Sequence, residues 1–164
     1  MSRAFLRRND TAEFENDNVR LMKPAKVGNT YGDGLRNVSV SDKGMDGIIS
    51  DCKVVEMREK FIKCEMPILE KHLNIGLGLH GAVSMLIVDS IGGLLLYAAR
   101  PGSNHVSTNI STSFFSGAGI GDVLEIDCFL EKMGRKLAFI KVNIYDKATK
   151  RKISSGSHTK YFVT

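Results

Sequence analysis

One carboxylate stands alone in an apolar segment of the sequence. Between Leu73 and Ala99 the chain runs for 27 residues with a single formal charge, Asp89. Burying an ionised carboxylate costs free energy unless partners compensate it, so such a group usually has buried partners, a reactive role, or both. Asp89 is therefore the first candidate catalytic residue. A structural carboxylate that caps the amides of a neighbouring chain is the alternative.

A glycine-rich segment precedes the apolar run. Asn74, Gly76, Gly78, His80 and Gly81 lie within eight positions. This composition is typical of a loop whose backbone approaches another group closely before a helix begins. The exposed amides of a helix start attract oxyanions, so the segment is a candidate binding loop.

The apolar run itself has helical spacing. We predict a core helix because its apolar residues recur every three or four positions. They are Val83, Leu86, Ile87, Ile91, Leu94, Leu95 and Ala98. A membrane-spanning helix is disfavoured, because Asp89 and the pair Gly92-Gly93 interrupt the stretch.

Strand patterns flank this helix. Alternating segments at residues 52–56 and 60–68 precede it, and period-two segments at 106–114, 124–130, 137–145 and 153–163 follow it. Consecutive strands joined by short turns must pair antiparallel, because a parallel return needs a crossover of a dozen residues or more. We therefore predict an α+β fold in which one long helix lies on a curved antiparallel sheet of five to six strands.

Composition limits the remaining possibilities. The chain has 164 residues, 43% of them hydrophobic and 25% charged, which suits one domain with a tail. Residues 1–45 hold few apolar side chains and are predicted to form a flexible arm, with the domain at 46–164. Cys52, Cys64 and Cys128 lack the spacing of a zinc site or disulfide framework and are predicted to be small buried hydrophobes. A metal site is not expected.

The charge and the amino-terminal segment bear on partners and location. A net charge of +5 suits any anionic partner, whether nucleic acid, a membrane surface or a phosphate-bearing cofactor. A nucleic-acid role is set aside, because there is no stacking aromatic cluster or recognisable module. Acidic residues follow the amino-terminal arginines closely and no apolar signal core is present. A cytoplasmic location is expected, with mitochondrial import as the alternative.

The spacing Gly76-x-Gly78-x-x-Gly81 matches a dinucleotide-binding fingerprint. That fingerprint requires a parallel strand after the helix and an acidic residue about twenty positions on. Pro101 stands there instead, so nicotinamide binding is only a distant alternative.

A wider set of spacings resembles the hotdog-fold acyl-coenzyme A thioesterases over about residues 52–164. The set comprises Asn74 six positions before His80, His80-Gly81, Asp89 nine positions after His80, Ser107 eighteen after Asp89, Gly121-Asp122, Gly134, Leu137-Ala138-Phe139, Lys147-Ala148-Thr149 and Gly156-x-His158-Thr159-Lys160. Two positions depart from the family pattern. Ala82 replaces a glycine and could narrow the site, whereas Gly117 replaces a proline and loosens a turn.

The resemblance implies a hotdog fold and hydrolysis of acyl-coenzyme A. Stabilising the oxyanion of a thioester calls for a donor such as the Gly81 N–H, and activating water calls for a carboxylate. The resemblance assigns Asn74 to the thioester carbonyl or the water, His80 to ordering the loop, and Ser107 to holding the water beside Asp89. Taken alone, Asn74 would be a turn residue and Ser107 one of many strand serines.

The two halves of this site cannot come from one chain. Gly81 and Asp89 are eight residues apart, which is about 12 Å along a helix and too far to act on one carbonyl carbon. Two chains whose helices pair antiparallel about a two-fold axis would bring Asp89 of one beside Gly81 of the other. We therefore expect a homodimer, with dimers paired further into tetramers.

Basic residues are candidates for binding the substrate. His158, Lys160 and Arg100 are predicted to contact coenzyme A phosphates, although a terminal lysine is more often a solvated charge. Coenzyme A is part of the substrate, and no separate cofactor is expected. Two alternatives remain open: a non-catalytic acyl-coenzyme A binding protein, supported by Ala82, and a hotdog dehydratase, supported by His80.

Overall fold

The computed structural model describes residues 44–163. The predicted arm at 1–45 therefore lies outside the described residues except for its last two positions. The elements follow in chain order: β1 (Lys53–Arg58), β2 (Phe61–Pro67), α1 (Gly81–Ala99), β3 (Asn104–Phe114), β4 (Val123–Met133), β5 (Leu137–Asp146) and β6 (Lys152–Val163). Short 3₁₀ turns at Gly44–Ile49 and Glu70–His72 precede β1 and α1.

All six strands form one antiparallel sheet in the order β1-β2-β4-β5-β6-β3. The prediction of one long helix against such a sheet is confirmed. Among residues 44–163 no strand pairs parallel as a dinucleotide fold requires, and β3, which follows the helix, pairs antiparallel with β6.

One connection differs from the short-turn expectation. β3 does not pair with β4, its successor in sequence, but lies at the other side of β6. The eight residues 115–122 join the two strands. Eight extended residues reach about 26 Å, which exceeds the roughly 14 Å across three strand spacings. The loop can therefore cross the end of the sheet.

Helix α1 lies against the inner face of the sheet and forms the centre of the core. Its buried residues are Val83, Ser84, Ile87, Val88, Ile91, Gly92, Gly93, Leu94, Leu95 and Leu96. By length and composition alone the helix could cross a bilayer, but over half of its most apolar window is buried inside the protein. The three cysteines are free and buried, as predicted.

Both ends of α1 follow from local sequence. His80 has an extended backbone and caps the first turn through its side chain. The helix ends at Arg100, whose N–H bonds to the Leu96 carbonyl. Pro101 and Gly102 follow, and Gly102 has a φ of 76°, a conformation that glycine adopts without strain.

Candidate active site

The helix start presents a free backbone donor. The His80 ring Nδ1 accepts the N–H of Ala82 at 3.0 Å, so the side chain is used as a cap. Gly81 is the first residue of α1, and its N–H has no hydrogen-bond partner among residues 44–163. This N–H is thus available to an oxyanion. Because Nδ1 is occupied by the cap, the ring is poorly placed to act as the base of a dehydratase.

Asn74 orders the loop before the helix. Its side-chain Oδ1 accepts the N–H of Gly76 at 2.8 Å and of Gly78 at 3.3 Å. Leu77 between them has a φ of 62°, which costs a branched side chain about 1 kcal/mol or more. With its oxygen committed to the loop, Asn74 has only its Nδ2 donor to offer to a ligand.

His72 is a buried anchor of this loop that the sequence reading missed. Its Nδ1 accepts the Leu69 N–H at 3.0 Å, so its Nε2 carries the proton donated to the Ile48 carbonyl at 2.7 Å. Its own carbonyl accepts the His80 N–H at 2.9 Å. His72 thus joins three segments around the helix start, two through its ring and one through its carbonyl. The sequence does not mark His72 as important, because this histidine belongs to no recognisable motif.

A second cluster surrounds Asp89 in the middle of α1. Oδ1 of Asp89 accepts hydrogen bonds from Ser107 Oγ at 2.9 Å and Lys160 Nζ at 3.2 Å. His158 Nε2 lies 3.4 Å from the same oxygen. The Asp89 side chain is 43% exposed, so it is less buried than its apolar surroundings in sequence suggest. The carboxylate lies at the margin of the core, with partners beneath it and solvent above.

The charge of Asp89 is set by opposing effects. Burial raises the pKa of Asp89, but the charge of Lys160 and the hydrogen bonds from Ser107 and Lys160 outweigh it, so the pKa is lowered overall. Asp89 is therefore an anion at neutral pH. An anionic carboxylate beside a serine hydroxyl can accept a proton from a water molecule held between them.

His158 is neutral and has a defined tautomer. Burial, followed by the charge of Lys160, lowers the pKa of His158 to about 4. Its Nδ1 faces the Val88 carbonyl at 3.3 Å, and a carbonyl can only accept, so we assign the ring proton to Nδ1. Nε2 is then an acceptor, and it lies 3.0 Å from Ser107 Oγ.

The expected contacts of His158 and Lys160 with coenzyme A phosphates are wrong. His158 is fully buried and Lys160 is 6% exposed, so neither side chain reaches a phosphate at the surface. Both lie on the inner face of β6 and turn toward Asp89. His158 and Lys160 share the two-residue repeat of the buried Gly156 and Phe162. Because every second residue of a strand faces the same side, this repeat is the signal that predicts an inward direction for both side chains.

Arg100 lies at the opposite end of α1 from the binding loop. Its guanidinium stacks 4.2 Å from the centre of the Phe162 ring and donates to the Arg135 carbonyl at 3.3 Å. It remains partly exposed. Of the three predicted phosphate contacts, Arg100 alone is at the surface.

A groove opens beside the Gly81 N–H. It has a volume of about 280 Å³ and is lined by Leu79, Gly81, Ser84, Phe114, Phe115, Ser116, Gly117 and Ile153. The Phe114 ring covers one side of Gly81, where a β-carbon would stand 3.3 Å from two ring atoms. The groove is largely apolar near the helix start, which suits an acyl or pantetheine chain.

The structure brings some predicted residues together and keeps others apart. Ser107 and Asp89 are in direct contact. Lys160 contacts Asp89, and His158 contacts Ser107. Asn74, His80 and Gly81 form a separate group at the start of the same continuous helix. Gly81 and Asp89 are eight positions apart on the helix, or about 12 Å. Among residues 44–163 no cluster of histidine, cysteine and carboxylate side chains suits a metal ion.

Comparison with known proteins identifies the family. A profile described as "Thioesterase superfamily" matches residues 78–153. "Acyl-coenzyme A thioesterase 13" of Mus musculus is 32% identical over 118 residues, which are 72% of this chain and 84% of the relative. The chain belongs to the thioesterase superfamily. The residues matched by the profile include Gly78, His80, all of α1 and the pair Asp89 and Ser107.

Solved structures of thioesterase superfamily proteins have the same fold. Thioesterase superfamily member 2 from zebra fish superposes with a TM-score of 0.70 at 32% identity, covering 73% of this chain and 87% of that one. The Mus musculus member 2 structure gives a TM-score of 0.68 at 33% identity, covering 72% and 86%. The hotdog fold and the thioester hydrolase predicted from the sequence are thereby confirmed.

Proposed function

We propose that this thioesterase hydrolyses acyl-coenzyme A to a carboxylic acid and coenzyme A at a site shared between two subunits. The anionic Asp89 bound to Ser107 carries the proposal, because this pair can hold and deprotonate a water molecule. The relatives named acyl-coenzyme A thioesterase 13 support the substrate class.

The reaction divides between the two clusters. The Gly81 N–H, with the Asn74 Nδ2, donates to the thioester oxygen as it gains negative charge. Asp89 takes a proton from the water while the oxygen of that water bonds to the carbonyl carbon. The carbon–sulfur bond then breaks, and the coenzyme A thiolate leaves and receives the proton. No metal ion or separate cofactor is required, so excess chelator is expected to leave the rate unchanged.

The edge strand β3 supports pairing of two chains. Within the described residues, β3 pairs with β6 on one side only, which leaves eleven residues of unpaired backbone on the other. Such an edge is a template for a second strand. Ser107 lies on this strand, and Val106 beside it is half exposed. An antiparallel pair of β3 strands about a two-fold axis would place each Asp89 cluster near the partner's helix start.

The coenzyme A end of the substrate requires positive charge at the surface. The turn between β4 and β5 carries the exposed Arg135 and Lys136, and Arg100 at the end of α1 donates to the Arg135 carbonyl. We propose that this turn contacts the phosphates, in place of the buried His158 and Lys160. Pairing of dimers into tetramers remains a prediction, which sedimentation of the purified protein can test.

A panel of acyl-coenzyme A esters with a thiol reagent tests the activity directly. Wild-type protein is expected to release thiol from medium or long acyl chains. Asp89→Asn should lower kcat by at least about a hundredfold while a non-hydrolysable acyl thioether still binds. Asp46→Asn is the matched control, because Asp46 bonds to Ser90, next to Asp89, but does not contact the reactive cluster.

Two outcomes contradict the proposal. Tight binding of every ester without thiol release by the wild type would indicate a binding protein. A folded Asp89→Asn variant with nearly wild-type turnover would remove Asp89 from the reaction.

A further inference from the structure

A lysine side chain is buried beneath the reactive carboxylate. Lys160 is 6% exposed, although an isolated ammonium is among the most costly groups to bury. Its Nζ lies 3.2 Å from Asp89 Oδ1 and 3.1 Å from Ser107 Oγ. One ammonium therefore contacts both of the groups that hold the attacking water.

The helix leaves space for this side chain. A β-carbon on Gly93 would stand 3.6 Å from Lys160 Nζ and 3.8 Å from its Cε, so the helix backbone passes directly over the ammonium. A longer side chain at position 93 would occupy the space that Lys160 fills. Ser107 on β3 and Asp89 on α1 supply the hydrogen-bond acceptors. The lysine is thus held by three elements: α1, β3 and its own strand, β6.

The contact with Ser107 also orders its proton. Because an ammonium only donates, the Ser107 oxygen accepts from Lys160, and the single hydroxyl proton must point to another acceptor. Asp89 at 2.9 Å and His158 Nε2 at 3.0 Å are the acceptors available. The Ser107 lone pair that accepts from Lys160 is therefore not available to accept a hydrogen bond from the attacking water.

We propose that Lys160 is a positioning residue of the hydrolysis, whose ammonium keeps Asp89 anionic and fixes it against Ser107. This inference rests on the proposed function, because it concerns the water that those two groups activate. Lys160 itself does not touch the substrate.

Other titratable groups face Asp89 and must be separated from the effect of Lys160. His158 faces it from β6 beside Lys160, and His105 faces the cluster from β3. Both histidines have a lowered pKa because they are buried, so both are neutral at pH 7. Lys160 is therefore the cation that holds Asp89 ionised among these groups.

Lys160→Met removes the charge while keeping a chain of similar length. The titration of the Asp89 carboxyl carbon, followed by NMR in aspartate-labelled protein and assigned with Asp89→Asn, should move up by at least about one pH unit. The acidic limb of the kcat/KM profile should move in the same direction. At neutral pH kcat should fall roughly tenfold to a hundredfold with KM changed less than about threefold.

Lys141→Met is the matched control. Lys141 lies on β5 and reaches Ser157, which is exposed on the outer face of the sheet, so the variant loses the same net charge away from Asp89. Its carboxyl titration and kcat should equal those of the wild type. A folded Lys160→Met variant with wild-type titration and wild-type kcat overturns the inference.

The wild-type titration gives a second test that needs no variant of Lys160. If Lys160→Met does not fold, the Asp89 carboxyl of the wild type must still titrate below the ordinary aspartate value of 3.8. A midpoint at or above that value overturns the role of Lys160. Wild-type protein that releases no thiol from any ester overturns the proposed function instead, so the two failures are distinguishable.

Discussion

At the scale of single residues, Ser107 has one proton and two acceptors. Asp89 Oδ1 and His158 Nε2 lie at 2.9 and 3.0 Å from its oxygen. When Asp89 accepts a proton from water, the Ser107 hydroxyl can turn to His158 without losing a hydrogen bond. The neutral His158 thus offers the Ser107 hydroxyl a second hydrogen-bond acceptor. The Ser107 hydroxyl thus keeps a hydrogen-bond acceptor before and after the proton moves.

The oxyanion donor can be removed by one substitution. Proline is tolerated as the first residue of a helix, and the extended His80 is compatible with a following proline. Gly81→Pro therefore deletes one N–H while retaining the helix. Loss of such a donor should lower kcat about a hundredfold to a thousandfold, as measured by thiol release.

Gly81→Ala is the control for that substitution. Alanine keeps the N–H and introduces the same β-carbon, 3.3 Å from the Phe114 ring. Any loss shared by the two variants reflects displacement of the ring, and only the excess in Gly81→Pro reports the donor. Equal activity of the two variants would mean that the N–H does not bind the oxyanion.

The sequence could identify the residues that carry an unusual pattern. Asp89 was visible because it is the single charge in an apolar segment, and Gly81 because it follows a loop composition. The sequence alone favours a surface position for Lys160 and His158, because basic side chains are normally solvated. Their inward direction depends on which face of β6 packs against α1, and a single sequence does not specify that face.

At the scale of elements, the pair Gly92-Gly93 faces β6, and Gly92 lets α1 approach that strand closely. A β-carbon on Gly92 would stand 2.9 Å from His158 Nδ1, closer than real β-carbons come to such an atom. His158 cannot move away easily, because both of its ring nitrogens are engaged. At Gly93 the corresponding distance to Lys160 Nζ is an ordinary 3.6 Å.

These neighbouring glycines make a matched pair of variants. Gly93→Ala should raise the free energy of unfolding by up to about 1 kcal/mol, because alanine favours the helix and meets no clash. Gly92→Ala gains the same propensity but should be net destabilising by roughly 1–3 kcal/mol, because the His158 ring must shift. Urea unfolding at one fixed protein concentration measures both.

The variant that is less stable, Gly92→Ala, should also be the less active one. Gly92→Ala displaces the histidine that bonds to Ser107 and should lower kcat, whereas Gly93→Ala should keep it. Equal stability and activity would contradict the close approach of α1 to β6.

The elements themselves were largely predictable. Period-two segments located the strands, and the three-and-four spacing located α1, because each element buries one face. The partner of β3 was not predictable, since a loop of eight residues allows several positions in the sheet. In the sequence the Gly92-Gly93 pair only interrupts an apolar helix, whereas in the structure it lies against His158 and Lys160 of β6.

At the scale of the whole molecule, the buried histidines predict a loss of stability in acid. The pKa of His158 is about 4 in the folded chain, against 6.5 for a free histidine, because the ring is buried. The unfolded chain therefore binds more protons between these values, and stability falls as the pH drops from about 6.5 to 4. The loss from this one group is on the order of 3 kcal/mol.

Urea unfolding between pH 7.5 and 4.5 tests this expectation. The pKa of His105 is lowered by burial in the same direction and adds to the slope. His158→Gln should reduce the pH dependence without abolishing it. A wild-type free energy of unfolding that stays constant over this range would contradict neutral, buried histidines.

The two clusters lie at the start and in the middle of α1, so they require a second chain if they act on one thioester. The distance along the helix was predictable from the spacing of Gly81 and Asp89, because a continuous helix has a fixed rise. The edge of β3 that has no partner strand among residues 44–163 was not predictable, and it supports the pairing independently.

Subunit complementation tests the shared site most directly. Asp89→Asn and Gly81→Pro are each expected to be nearly inactive as homodimers. A mixed dimer unites the intact Gly81 of one variant with the intact Asp89 of the other in one of its two sites. Random reassociation of equal amounts should therefore restore about a quarter of wild-type thiol release. If the verified mixed dimer is as inactive as its parents, the site is not shared between subunits.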